Sequence, residues 1–186
     1  MKQLLNSLLL VLAVNSVQAE GILDDTVFGM SIINQNVSST INISGNAANV
    51  DDSGTGFGIY LDKYYKRTYR FNSTLSYVGY DLFDLAELSL SADYLVPLNQ
   101  KISLFVGLSV GGGMQKYSDS GMSEASFGFM YGVEIGGIAY MNRNLMMELG
   151  YRQKNTSIET GVTSSSNSLA TLDEIDELYL SFIVMF

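Results

Sequence analysis

Four stretches of this chain alternate, residue by residue, between an apolar side chain and one that is in most positions small or polar. Leu88, Leu90, Ala92, Tyr94 and Val96 alternate with Glu87, Ser89, Ser91, Asp93 and Leu95. Ile102, Leu104, Val106, Leu108 and Val110 alternate with Ser103, Phe105, Gly107, Ser109 and Gly111. Phe127, Phe129, Tyr131, Val133 and Ile135 do so with Ser126, Gly128, Met130, Gly132 and Glu134, and Leu178, Leu180, Phe182, Val184 and Phe186 with Glu177, Tyr179, Ser181, Ile183 and Met185. A period of two belongs to a strand with two unlike faces. Extended along the chain, the pattern predicts eight strands near 26–37, 54–63, 67–80, 86–96, 101–114, 126–140, 145–155 and 171–186. Connections after the second, fourth and sixth are short: Tyr64–Lys66, Pro97–Gln100 and Met141–Asn144. Those after the first, fifth and seventh read as long polar loops, Ser38–Ser53, Gln115–Ala125 and Thr156–Ala170. The stretch after the third, DLFDL, reads as short to middling.

Alternation does not say which face points outward, but composition does. Charged residues are 16% of the chain, against about 25% in soluble domains, too few to clothe the outside of a soluble barrel. The polar face is mostly Gly and Ser, which suits the crowded interior of a small barrel. Its charges come in both signs, Arg70, Arg152 and Lys154 against Glu87, Asp93, Glu134, Glu148, Asp173 and Glu177, as burial in a low dielectric demands. Apolar side chains therefore face lipid. In hydrocarbon every backbone N–H and C=O needs a protein partner, so the sheet must close. Eight strands leave roughly 21 residues for each strand and its connection, while sixteen would leave none for loops. The fold class is all-β: an eight-stranded antiparallel up-and-down transmembrane β-barrel.

The N-terminus is read as an address. Met1–Ala19 carries Lys2, an apolar run Leu8–Val14 and a small residue at Ala19. These are the parts of a cleaved secretory signal peptide, and the run is too short for the ~18–20 residues of a membrane span. The barrel domain is residues 20–186. The chain has no Cys, so a lipid-acylated leader is excluded.

The absence of His and Cys removes the Ser-His-Asp triad, the His general base, thiolate chemistry and the usual soft metal ligands. Ser–Lys or carboxylate-only chemistry is what remains, and no enzyme activity, metal or cofactor is expected. A net charge of −9 with ten Lys and Arg argues against nucleic acid as a partner. Asp51, Asp52 and Asp119 read as solvated loop charges, since DDSG lacks the other oxygens of a calcium loop. Asp173, Glu174, Asp176 and Glu177 form an acidic start to the last strand. Gly111–Gly113 precedes no helix and reads as a place for strong coiling or a bulge. Tyr64, Tyr65, Tyr69, Tyr77, Tyr94, Tyr140, Tyr151 and Phe186 are girdle candidates, with Lys63, Lys66 and Arg67 at the first short turn. Arg70, Glu87, Asp93, Glu134, Glu148, Arg152 and Glu177 are the candidate interior charges. They read either as a network that plugs the barrel or as the lining of a narrow cation-preferring path.

The final segment DELYLSFIVMF ends on Phe186 with Leu180, Phe182 and Val184 at every second position before it. With the leader and the stretch ADYLVPLNQKISLFVGLSVGGG (Ala92–Gly113), the chain resembles the small bacterial outer-membrane β-barrel superfamily, including OmpA/OmpX-like, opacity-type and porin-family members. The resemblance implies a Gram-negative outer-membrane location with periplasmic termini. It implies that Leu180, Phe182, Val184 and Phe186 act as the signal read by the outer-membrane assembly machinery. It also implies contact with lipopolysaccharide, and a structural or adhesin-like role in which outer loops meet an extracellular ligand. The alternative is a small porin-like channel. The enzymes built on this scaffold use a catalytic His, so their sites cannot be carried over.

Overall fold

The computed structural model describes residues 26–185 except 44–45, 66–67, 82, 120–121, 143 and 162–167. The leader, Lys66, Arg67 and Phe186 lie outside the described residues, as does the side chain of Asp119. Eight antiparallel strands follow one another: β1 (Thr26–Ile43), β2 (Asn46–Tyr65), β3 (Tyr69–Gly79), β4 (Phe83–Pro97), β5 (Ile102–Asp119), β6 (Met122–Tyr140), β7 (Leu145–Gly161) and β8 (Ser168–Met185). Each pairs with its neighbours in sequence, and β1 pairs with β8 from Val27↔Met185 to Ile43↔Ser168, closing the barrel.

The faces divide as the alternation requires. Val106, Leu108, Val133, Ile135 and Phe182 are exposed on the outer wall, while Ser103, Phe105, Glu134, Tyr179 and Ser181 are buried inside. Large inner side chains are accommodated by glycines directly across the ladder. Tyr60 lies over its cross-strand partner Gly29, and Tyr179 over Gly150. A Cβ at either glycine would sit within the ring. Tyr64 and Tyr140 pack against the interior apolar cluster and are not part of an outer girdle.

Three expectations about connections are corrected. The stretches Ser38–Ser53, Gln115–Ala125 and Thr156–Ala170 are not long loops. Among the described residues the strands continue through them as paired hairpins, as in Ser38↔Asp51, Gln115↔Ser126 and Thr160↔Ala170, and the first and last are joined to each other through β1 and β8. Polar residues on both faces hide the period of two that marks the lower strands, although Gln115, Ile158 and Thr160 are still buried inside. Gly111–Gly113 makes no bulge, and its pairing with Ser89–Glu87 is regular. Gly112 lies beneath the Phe127 ring, and Gly113 packs near Met130 and Ile158. The register shifts fall instead at Ser38/Ser39 and at Asn155/Ile158.

Candidate functional site

The barrel interior is layered. Near the short-turn rim Val27, Leu95, Phe105, Ile138, Met146 and Ile183 are among the members of one apolar cluster. Toward the long hairpins Val37, Leu85, Met130, Ile158, Leu172 and Ile175 belong to a second. Charged residues occupy the middle. Asp62, Arg70, Glu87, Asp93, Glu134, Glu148, Arg152, Lys154 and Glu177 are all buried, with Arg70 fully inaccessible.

Five of these charges, Arg70, Asp93, Glu134, Arg152 and Glu177, lie on one row of the β-ladder. Tyr64 pairs with Arg70, Arg70 with Asp93, Asp93 with Gly107, Gly107 with Glu134, Glu134 with Arg152, Arg152 with Glu177 and Glu177 with Gln35. Gln35 in turn pairs with Gly54, so a row that leaves β2 at Tyr64 returns to it at Gly54. It is therefore a spiral, because tilted strands carry each perpendicular row obliquely to the barrel axis.

Two clusters hang on this row. In the first, Arg70 Nε donates to Asp93 Oδ2 at 2.7 Å, and Nη1 and Nη2 donate to Glu148, the latter at 3.3 Å. Asp62 lies 3.6 Å from Nη1 and accepts a hydrogen bond from Asn72. The guanidinium stacks 4.5 Å from the Phe105 ring centroid. In the second, Arg152 donates to Glu134 and, at 3.0 Å, to Glu177 Oε1. Lys154 Nζ joins Glu87 to Glu177, the latter at 2.9 Å. Gln35 Nε2 reaches Glu87 at 3.0 Å and Glu177 at 2.6 Å, and its Oε1 accepts from the Tyr80 hydroxyl at 2.5 Å. Tyr179 links the clusters: its hydroxyl donates to Glu148 Oε1 at 2.8 Å, and Arg152 stacks 4.3 Å from its ring centroid.

The structure thus brings Arg70, Glu87, Asp93, Glu134, Glu148, Arg152 and Glu177 into one buried region, together with Lys154. Asp173 is not among them. It is exposed near the hairpin end of β8 and accepts from Thr40 Oγ1 at 2.6 Å. The register shift opposite Ser38/Ser39 takes it out of the inner-face alternation that Leu172 and Ile175 keep. Sequence reasoning missed Asp62, Asn72, Gln35 and Tyr80. The signal was available in the parity of β2, where Asp62 shares its face with Gly58 and Tyr60. The carboxyls Asp62, Glu87, Asp93, Glu134, Glu148 and Glu177 outnumber the cations Arg70, Arg152 and Lys154. Asp62 Oδ2, Asp93 Oδ1 and Glu134 Oε1 receive no hydrogen bond.

Of the predicted assembly signal, Phe182 and Val184 face outward and Leu180 is half-buried on the same face. Asp51 and Asp52 sit on the β1–β2 hairpin with Asp176, lining a shallow depression with Asn36, Val37, Ser38 and Ser53. Among the described residues no group of acidic side chains is arranged to hold a metal ion. The β2 segment Asn46–Gly54 is paired with β1, while its ladder with β3 begins only at Thr55↔Gly79. The β3–β4 hairpin is thus short beside the projecting β1–β2, β5–β6 and β7–β8 hairpins.

No family model matches the chain, and no curated protein matches it by sequence. Among solved structures it is similar to the crystal structure of Neisserial surface protein A, with 16% identity and a TM-score of 0.61 over 84% of this chain and 97% of that one. It is similar to outer membrane protein H of P. aeruginosa, solved in DHPC micelles, with 23% identity and a TM-score of 0.57 over 87% of this chain and 99% of that one. The outer membrane protein OprG from Pseudomonas aeruginosa gives 13% identity and a TM-score of 0.53 over 86% and 95%. The fold of this chain is that of the small eight-stranded outer-membrane barrels.

Proposed function

We propose that the protein is an integral outer-membrane barrel with a structural or surface-interaction role, its projecting hairpins carrying the specificity. Residues 1–19 are read as a cleaved leader and both termini as periplasmic. The outward apolar face contacts lipid, and lipopolysaccharide surrounds the long hairpins. The C-terminal strand, through Leu180, Phe182, Val184 and Phe186, engages the assembly machinery. The observation that carries this reading is the spiral of buried ion pairs, held between two apolar layers. A lumen filled by side chains supplies a rigid frame, which leaves recognition to what projects from it. The open β2 edge at Asn46–Gly54 supports the same reading, because it offers backbone groups at the outer rim.

The surplus of buried carboxyls over cations supports a second reading, a narrow channel for cations. Planar-bilayer recording of the purified, refolded protein separates the two. A filled barrel gives no stable conductance steps. Single-channel steps that change on Glu134→Gln or Glu148→Gln would overturn the structural reading in favour of the channel.

A further inference from the structure

The outer wall carries an asymmetry that the interior does not require. On β7 it is apolar from Leu145 to Tyr151 and turns polar at Gln153. On β8 it is apolar from Val184 to Leu178 and turns polar at Asp176, and on β1 from Phe28 to Ile32, turning polar at Asn34. On β5 it remains free of charge from Ile102 to Met114, and on β6 the aromatic run continues through Tyr131 and Phe129 to Phe127. The upper limit follows a single ladder row: Ile32↔Phe57↔Tyr77↔Ala86↔Met114↔Phe127. Such rows spiral, as the interior one does between Tyr64 and Gly54. From β1 to β6 this row climbs on the order of 15 Å along the barrel axis, given strand spacings near 4.8 Å and a tilt near 40°.

At the β6–β7 seam the ramp ends in a step. Val133 stands beside Gln153 and Tyr131 beside Asn155, while Phe129 and Phe127 lie further still toward the hairpin tip. Phe127 is 77% exposed and lies over outward-facing Gly112, and Phe129 stacks on Tyr131 at 6.3 Å. On the far side of this seam, between β7 and β8, Tyr151 donates to Asp176 and Gln153 to Glu174. One side of the barrel is thus greasy at a height where the opposite side is carboxylate and amide.

We infer that the ridge Phe127–Phe129 with Met114 is seated in the acyl chains of the outer leaflet, so that the barrel leans toward its β5–β6 face. The occupant is lipid because the ridge is continuous with the apolar belt below it and carries no charge before Lys116. Burial of large apolar side chains in acyl chains favours immersion, whereas Asn34, Asn36, Gln153, Asn155, Glu174 and Asp176 resist it. Leaning satisfies both. It lowers the β5–β6 hairpin toward the membrane and lifts the β7–β8 and β1–β2 hairpins clear of it. The inference rests on the membrane reading proposed above.

The chain contains no Trp, so single-Trp variants report without background. Leu108→Trp, Phe127→Trp, Asn155→Trp and Asn36→Trp would each be refolded into vesicles of mixed phosphatidylcholines brominated at several depths along their acyl chains. Folding is checked by heat-dependent gel mobility. We expect L108W and F127W to lose fluorescence to a similar extent, and N155W and N36W to retain it. Retention by F127W alongside quenching of L108W overturns the inference and leaves the ridge to a protein partner or a second copy, with the membrane reading intact. Equal quenching of F127W and N155W also overturns it, since the belt would then be level. Retention by L108W overturns the membrane reading itself.

Discussion

Glu134 and Arg152 are direct cross-strand partners on β6 and β7, and the guanidinium that bonds Glu134 also bonds Glu177, the partner of Arg152 on its other side. One cation thereby bridges three adjacent strands at the middle of the wall. Its removal leaves Glu134 without a paired cation among the described residues, while Glu177 keeps Lys154 and the Gln35 amide.

Arg152→Met is expected to destabilise the barrel by about 3–5 kcal/mol, because a buried pair broken on one side leaves uncompensated charge. Arg152→Lys should recover only part of this, since an ammonium cannot present the planar fork that reaches both Glu134 and Glu177. Urea unfolding in vesicles, followed by circular dichroism, measures both.

Tyr179→Phe removes the hydroxyl that donates to Glu148 and keeps the ring beneath Arg152. The expected cost is about 1–3 kcal/mol, that of a buried acceptor losing a donor. In a Glu148→Gln background the cost should fall, and a double-mutant cycle would expose the coupling. Additive effects would show that the two clusters are independent.

Gly150→Val places a side chain where the Tyr179 ring lies. We expect a loss of at least about 1–3 kcal/mol from forced displacement of the ring, or failure to refold. Tyr179→Ala in the same chain should relieve the clash, so the double variant is expected to refold more readily than G150V alone. Gel mobility of heated and unheated samples provides the comparison.

Replacing residues 41–48 of the β1–β2 hairpin by a short Asn-Gly turn should leave the barrel folded. The described residues 41–43 and 46–48 pair with each other and with Ser168–Ala170 of β8, far from the ion row. Retained heat-modifiable mobility and an unchanged urea midpoint would confirm that the projection is dispensable for the fold. A large loss of stability would mean that the hairpin belongs to the frame.

Much of the fold is legible in the sequence because the apolar outer wall, which we propose faces lipid, and the packed interior impose opposite demands on adjacent residues. Val133 and Glu134 could not exchange places without putting charge on the apolar outer wall, nor Val106 and Gly107 without driving a side chain into Asp93. The hairpin ends were illegible for the same reason. Above the belt, Ser38 and Ser39 or Asn49 and Val50 meet a single solvent on both faces, so their strand state leaves no alternating trace. The pairing that makes Ser38↔Asp51 a ladder position comes from the strands below continuing upward.

Alternation, taken with chain length, the short connections and the low charge content, determined the strand count, the antiparallel order and the face on which Arg70, Glu134 and Arg152 lie. It could not fix register, because a pattern of period two is unchanged when a strand slides by two residues. Register decided whether Arg152 stands beside Glu134 or beside Gly132, and closure of β1 on β8 decided that Gln35 meets Glu177. Those choices depend on short turns, two register shifts and the stagger with which the last strand meets the first. Each is set by residues far apart in the chain, which only the closed barrel brings together.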